Sequence, residues 1–370
     1  MLRLLSLLLA HSACAIVVVT HASGRMGVSV VGQLREQLLL NPERERPPWC
    51  EASEDSLQIR AVVRSEQEAA RLQLDLCGSV LRGGVLTPLL DMEKDLGIQI
   101  CVCADDADEA ASLEAAFAGA SCAVLLSAAH ADFSSGSAPL GAPIVPGSIE
   151  AAKAASRFAG TAVNVAIPPV EGARAARRLG AEIAAAAVSP QIRHVILRSS
   201  MGVASLEAED ANSEEEKEGS LAVGRMGGAA ALAVQADAEA ALRARCDQKG
   251  VAYTVLRLGA LVDSAGGVPL AFGQGDQQLL DRAADDDVNE PPLISRNDAA
   301  RIVCHVAGEG LPSLGGATLD VAWQDRWGTT SAGTDETARA AARQDVMADA
   351  AAAVFGMAKQ EEEKEAVAAA

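Results

Sequence analysis

The stretch Thr20-His21-Ala22-Ser23-Gly24-Arg25-Met26-Gly27 directly follows the β-branched run that starts at Ile16 and leads into an amphipathic segment. A strand, a tight turn and a helix in that order aim free backbone N–H groups and the positive end of a helix dipole at a phosphate, while glycines let the backbone come close. The chemistry on offer is recognition of a pyrophosphate, and so of a dinucleotide. Further on, Val62-Val63-Arg64-Ser65 closes a second apolar run. At that position an acidic residue would hold a ribose diol, whereas a basic one would accept a 2′-phosphate. Arg64 and Arg25 can both give forked, charge-assisted hydrogen bonds, which favours NADP over NAD; the plainer alternative is that Arg64 only solvates a strand end.

Residues for proton or substrate chemistry are fewer. Ser199 and Ser200 end a later apolar run and could orient a substrate carbonyl, or could simply cap exposed strand backbone. His130 and Lys153 are titratable but fall in a long connection. Tyr253 is the chain's only tyrosine, it sits within a strand-like run, and position 257 is Arg rather than Lys. Without a lysine four residues on, its phenol keeps a pKa near ~10 and is a poor proton relay at neutrality.

These residues need a scaffold that brings distant segments together. Short β-branched runs alternate with Ala-rich helical ones, as in a parallel sheet buried between helices. The pattern predicts strands at Ile16 to Thr20, Leu57 to Arg64, Ile98 to Ala104, Cys122 to Ala128, His194 to Ser199, Ala252 to Leu258 and Thr318 to Ala322. The clearest helices span Arg25 to Leu40, Asp108 to Ala118, Val170 to Ala187 and Leu232 to Lys249. The expected fold is α/β, a doubly wound, mostly parallel, Rossmann-like sheet of about seven strands, with loop insertions and an Ala/acid-rich C-terminal helix. Insertions are expected at Asn41 to Ser56, in part of Gln73 to Gly97, and at Ala129 to Pro169, where Ile149 to Phe158 could add a short helix. The expected organisation is a leader or targeting segment over 1–14, a nucleotide-binding domain over 15–327 and a helical or disordered tail over 328–370.

Several landmarks then occur in a fixed order. Thr20 to Gly27 resembles the T-G-A-T-G-R-T-G turn of atypical short-chain dehydrogenase/reductase proteins, including the NmrA-like group. Ala104 to Asp108 is similar to that family's G-D-L-T-D, and His194 to Gly202 to its V-x-V-S-S-x-G. Gly250 to Leu261 is similar to G-L-D-Y-T-I-L-R-P-G-x-L, and Ile294 to Ala300 to I-S-R-x-D-V-A. The resemblance covers about Ile16 to Ala322. It implies a bound dinucleotide contacted by Thr20 to Gly27, Arg64, Asp105, Ser127 and Ala128. The departures are His21 for the first glycine of the turn and Leu258 for the proline. His21 could adopt a strained conformation or a φ-negative variant of the turn, and its ring could bond a phosphate or weaken binding. Aligning Glu239 with the family's glutamate puts Ala231 at the position of the active Tyr and Gln235 at that of the Lys. The resemblance therefore implies an NADP(H)-binding protein with a regulatory or assembly role. The alternatives are an NADPH-dependent oxidoreductase acting on a small carbonyl with a non-standard proton donor, and a structural protein with a dead pocket.

Composition narrows the partners. With 50 acidic against 31 basic residues the net charge is −19, which disfavours non-specific binding to nucleic acid or anionic membranes. The partners left are the dinucleotide with a small-molecule substrate or another protein, and no stable membrane span is expected. The acidic run Glu207 to Glu218, the triplet Asp285 to Asp287 and the tail Glu361 to Glu365 read as solvated. The eight cysteines lack metal or disulfide spacing, so no metal site is expected, and Cys101 and Cys103, on one face of a strand, read as core rather than as a redox pair. Reduced thiols point to cytoplasm or plastid stroma. Against this, Arg3, the apolar run Leu4 to Ala10 and the triplet Ala13-Cys14-Ala15 resemble a signal peptide whose cleavage would leave Ile16 first.

Overall fold

The computed structural model describes residues 13–39, 47, 49–50, 54–82, 85–105, 108–127, 169–208, 229–263, 266–283, 292–309, 316–324 and 350. From the N-terminus come β1 (Ala13–Val19), α1 (Arg25–Leu34, continued by one wider turn at Arg35–Leu39), β2 (Glu54–Val63), α2 (Glu66–Cys77), the hairpin strands β3 (Ser79–Arg82) and β4 (Val85–Pro88), β5 (Ile98–Val102) and α3 (Glu109–Phe117). Then follow β6 (Cys122–Leu125), α4 (Pro169–Val188), β7 (His194–Ser200), α5 (Val203–Ala208), α6 (Ala229–Lys249) and β8 (Ala252–Leu258). The described elements end with β9 (Ala260–Val262), β10 (Leu270–Gly273), α7 (Gln277–Ala283), β11 (Leu293–Ser295), α8 (Arg296–Glu309) and β12 (Gly316–Trp323).

Eight strands form one sheet in the order β10-β12-β8-β7-β6-β1-β2-β5. Every pairing in it is parallel except that of β10, which runs antiparallel to β12 at the edge. Numbered along the chain, the parallel strands read 3-2-1-4-5-6-7, the Rossmann order, whose direction reverses between β1 and β6. Both faces are covered, so the strands read as continuous apolar runs. Val17 and Val19 of β1 face a core with Val30, Val31 and Leu34 of α1 and with Ile302, Val303 and Val306 of α8. Ile16 and Val18 face the other core, with Phe117 of α3, Leu179 and Ile183 of α4 and Leu242 of α6.

Some boundaries differ from the sequence reading. β1 opens at Ala13, not Ile16, with Ala13, Cys14 and Ala15 paired to Glu54, Ser56 and Leu57, so cleavage after Ala15 would strip three paired residues from a central strand. The expected insertion at Gln73 to Gly97 is partly regular, because α2 runs on to Cys77 and the β3–β4 hairpin follows. Asn41 to Ser56 likewise gives up Glu54 to Ser56 to β2, and Trp49 packs back on the core, its indole N–H donating to the Ala307 carbonyl. Ala128, His130, Lys153, the short helix expected at Ile149 to Phe158 and the expected C-terminal helix, apart from Ala350, which is helical and packs into the core, lie outside the described residues. Among the described residues no helix is long and apolar enough to cross a membrane, and no cluster of His, Cys, Asp and Glu could hold a metal ion.

Candidate functional site

The Thr20–Gly27 turn lies where the strand order reverses, at the C-terminal ends of β1 and β6. In open α/β sheets this crevice is the ligand site. Thr20 is buried; its hydroxyl donates to Glu182 Oε2 at 2.9 Å and accepts the Leu126 N–H at 3.1 Å. The Ala22 N–H donates to the Val62 carbonyl at 3.1 Å and ties the turn to β2, while Ala22 and Met26 pack into the core.

His21 takes φ 52°, the left-handed conformation that a glycine would supply, so the φ-negative variant is ruled out and the loop keeps its tight path. Its imidazole lies against Gly24, where a Cβ would stand 2.5 Å from Nε2. At Gly27 a Cβ would meet the His21 carbonyl oxygen at 2.3 Å, so only glycine lets α1 pack this tightly on the turn. Gly24 begins α1 with no side-chain cap, and the first helical turn carries no acid. The backbone thus suits an anion at the start of α1, with the His21 ring beside its approach.

The two candidate phosphate-binding arginines are already engaged. Arg64 Nε and Nη2 donate to Glu68 Oε1 at 2.9 and 2.6 Å, and the Arg64 N–H donates to Oε2 at 2.9 Å. Ser23 of the turn donates to the same Oε2 at 2.8 Å. Ser65 caps α2 by accepting the Glu68 N–H, while the Glu68 carboxylate reaches back one residue further, to the Arg64 N–H. Burial alone would raise the Glu68 carboxyl, but Arg64 and Ser23 outweigh it and hold the pKa below the ordinary value. Arg25 pairs with Asp263, which also takes Arg296 Nη1 at 2.5 Å.

Behind the turn, α4 supplies a buried polar post. Glu182 accepts from Thr20, from Ser127 Oγ at 2.8 Å and from Arg178 Nε at 3.0 Å. Arg178 also reaches Glu109 at 2.9 Å and Asp105 at 3.3 Å, and Asp105 takes Arg174 at 2.9 Å. Asp105 and Ser127 thus stand beside the turn with their side chains committed to this network.

The serines at the end of β7 separate. Ser199 donates to Oε1 of the fully buried Glu239 at 2.6 Å; the buried Arg257 grips the same carboxylate at 3.0 and 2.8 Å, and the half-buried Arg243 adds 2.5 Å. Ser200 is buried next to it in the strand. On α6, Ala231 and Gln235 are buried, and Gln235 Oε1 has no hydrogen-bond partner among the described residues. Next along the sheet, Asp320 Oδ2 accepts the Asp276 N–H at 2.7 Å; Asp276 in turn accepts the N–H groups of Gly202 and Ser205 at 2.8 Å. Burial first, then the neighbouring Asp276 charge, push the Asp320 carboxyl up to about 7.

Burial pushes the Tyr253 phenol up, and its ring packs over Gly316, where a Cβ would stand 2.2 Å from Cζ. Cys101 and Cys103 line the same core, and burial raises the Cys103 thiol to about 11; among the described residues Cys50, Cys77, Cys101, Cys103, Cys122, Cys246 and Cys304 form no disulfide. Glu68, Glu182, Asp263 and Asp320 were not singled out from sequence. The signals for two of them were present, the Ser65-to-Glu68 capping spacing and the four-residue Arg–Glu spacings at Arg64/Glu68 and Arg178/Glu182.

No family model matches the chain, and no curated protein matches it by sequence. Among solved structures it is similar to a short-chain dehydrogenase/reductase from Veillonella parvula in complex with NADP, at 13% identity and TM-score 0.42, covering 84% of this chain and 95% of that one. A UDP-N-acetylglucosamine 4-epimerase from Bacillus cereus matches at 13% identity and TM-score 0.42, over 88% and 83% of the two chains. Vestitone reductase from alfalfa matches at 12% identity and TM-score 0.39, over 83% and 78%. The fold itself rests on strand order and register: the chain is a Rossmann-like α/β protein, and its structural neighbours are of the short-chain dehydrogenase/reductase and epimerase type.

Proposed function

We propose that this protein binds NADP(H) at the Thr20–Gly27 turn and uses it in a regulatory or assembly role rather than for hydride transfer. The observation that carries the reading is the turn's backbone: His21 holds a glycine-like φ of 52° and Gly27 a contact only glycine permits, at the point where the strand order reverses. Arg64 supports NADP over NAD, since its side chain is 47% exposed beside the turn and can meet a 2′-phosphate. The non-catalytic part is supported by Ala231 and Gln235, neither of which can do the proton chemistry of a Tyr/Lys pair, and by the commitment of Ser199 to Glu239.

The test is a titration of the purified protein with NADPH and NADH, followed by a panel of small carbonyl compounds. NADPH is expected to bind more tightly than NADH, with no consumption across the panel, and Arg64→Glu should invert or abolish the preference. Failure to bind either nucleotide overturns the assignment. Binding with steady NADPH oxidation overturns the regulatory part in favour of an oxidoreductase acting on a small carbonyl.

A further inference from the structure

The phosphate turn and the end of β2 are joined by one carboxylate. Glu68 takes three hydrogen bonds from Arg64, two of them from the guanidinium, and a fourth from the Ser23 hydroxyl. A hydroxyl, a backbone N–H and a guanidinium are the donors that a phosphate monoester would recruit, so the carboxylate sits where those donors converge and meets them as an anion would. Its side chain is 21% exposed, leaving the pair open to competition from solvent and ligands. The helix cap needs only the Glu68 backbone N–H, which Ser65 accepts, so the carboxylate is dispensable for starting α2.

We infer that Glu68 is a specificity-determining residue for the dinucleotide, a built-in anion that competes with a 2′-phosphate for Arg64 and Ser23 and so restrains the preference for NADP(H). This rests on the nucleotide-binding reading above and refines it. A 2′-phosphate brings about −1.5 to −2 charges next to a carboxylate and must displace it from Arg64, whereas an unphosphorylated ribose diol is neutral and can donate to it. Replacing Glu68 by Gln removes the charge, keeps the size and leaves Arg64 uncompensated. On Coulomb grounds the gain for a phosphate ligand is roughly tenfold or more at low salt.

The experiment measures dissociation constants of NADPH, NADH and 2′,5′-ADP for the full chain, for Glu68→Gln and for Glu68→Asp. Unfolding midpoints are recorded alongside to show that each variant folds. Glu68→Gln is expected to tighten NADPH and 2′,5′-ADP by roughly tenfold while NADH is unchanged or weaker, and Glu68→Asp, which keeps the charge, should stay within about threefold of wild type. If both coenzymes bind but Glu68→Gln leaves their ratio unchanged or lowers it, Glu68 only orients Arg64 and the inference fails while nucleotide binding stands. If Glu68→Asp shifts the ratio as far as Glu68→Gln, side-chain shape and not charge is responsible, and the inference fails again. If no protein binds any of the three ligands, the nucleotide-binding reading is what has failed, and the inference falls with it.

Discussion

At Gly27 the atoms a Cβ would strike are backbone, the carbonyl oxygens of His21 at 2.3 Å and Ala22 at 2.7 Å, so they cannot rotate away. Gly27→Ala must therefore lift α1 from the turn, at about 1–3 kcal/mol in stability, and should weaken nucleotide binding along with it. Chemical denaturation and an NADPH titration check both; a variant that unfolds and binds as the wild type does would mean the turn is looser than its geometry implies. His21 poses the opposite case. Its left-handed φ costs a side chain about 1 kcal/mol, while glycine gives back a similar amount by enlarging the freedom of the unfolded chain. His21→Gly should thus unfold within about 1 kcal/mol of wild type, and His21→Val, β-branched and ill-suited to that conformation, should fall about 1–2 kcal/mol below it. If Val is tolerated as well as Gly, the turn does not need the positive φ in solution.

Among elements, α6 and the strands under it are tied by charge as well as by packing. Glu239 is fully buried and holds Arg257 of β8, Arg243 of its own helix and Ser199 of β7, so one carboxylate fixes the helix across two strands. Glu239→Ala would leave the Arg257 guanidinium buried without its partner, at about 3–5 kcal/mol, a loss that equilibrium unfolding in urea would register; a cost below about 1 kcal/mol would show that water reaches the cluster. Tyr253→Phe, on the same β8, should cost at most about 1 kcal/mol and leave nucleotide binding and any turnover intact, because the ring packs over Gly316 and burial holds the phenol protonated. A hundredfold loss of turnover in a variant that still folds and binds NADPH would place the phenol in an active site. The same elements show what a sequence can and cannot reveal. β8 was legible to the residue, since Ala252 to Leu258 is a buried β-branched and aromatic run bounded by Gly250 and Gly259. β10 was not, because Leu270 to Gly273 is short, ends in glycine and becomes a strand only by pairing with β12, some fifty residues later. The turn was legible through its local glycine spacing. The carboxylates that brace it were not, because an acid on an amphipathic helix reads as solvent-facing until the fold brings an arginine or hydroxyl onto it. The opening of β1 was hidden for a related reason: Ala13-Cys14-Ala15 has the small residues of a cleavage site, and only the ladder with β2 shows it to be sheet.

Over the whole molecule, two buried titratable groups pull stability in opposite directions with pH. Burial lowers the His194 imidazole to about 4, against about 6.5 in an unfolded chain. The unfolded state takes up the proton first, so the stability His194 contributes is present above about 6.5 and is lost as the pH falls towards about 4. Asp320 is raised to about 7, against about 4 when unfolded, so the folded state keeps a proton that the unfolded chain has released. Its contribution is full below about 4 and is lost as the pH rises through about 7. Between about 4 and 6.5 the two slopes oppose and largely cancel, and above 6.5 only that of Asp320 remains. The groups facing Asp320 are the Asp276 and Glu239 carboxylates, whose charges raise its carboxyl, and the Asp276 backbone N–H and the Arg257 guanidinium, which lower it. Asp320→Asn removes this proton while leaving an oxygen to accept the Asp276 N–H. Relative to wild type the variant should gain about 3 kcal/mol between pH 4.5 and pH 8, at no more than about 1.4 kcal/mol per pH unit, and so unmask the acid sensitivity caused by His194. Urea unfolding of both proteins at half-unit steps across that range would show the difference curve rising with pH. A difference that stays flat would mean that Asp320 is ionised throughout in the folded protein, held by Arg257, and that the start of α5 from Gly202 to Ser205, which hangs on Asp276 and through it on Asp320, is insensitive to pH near neutrality.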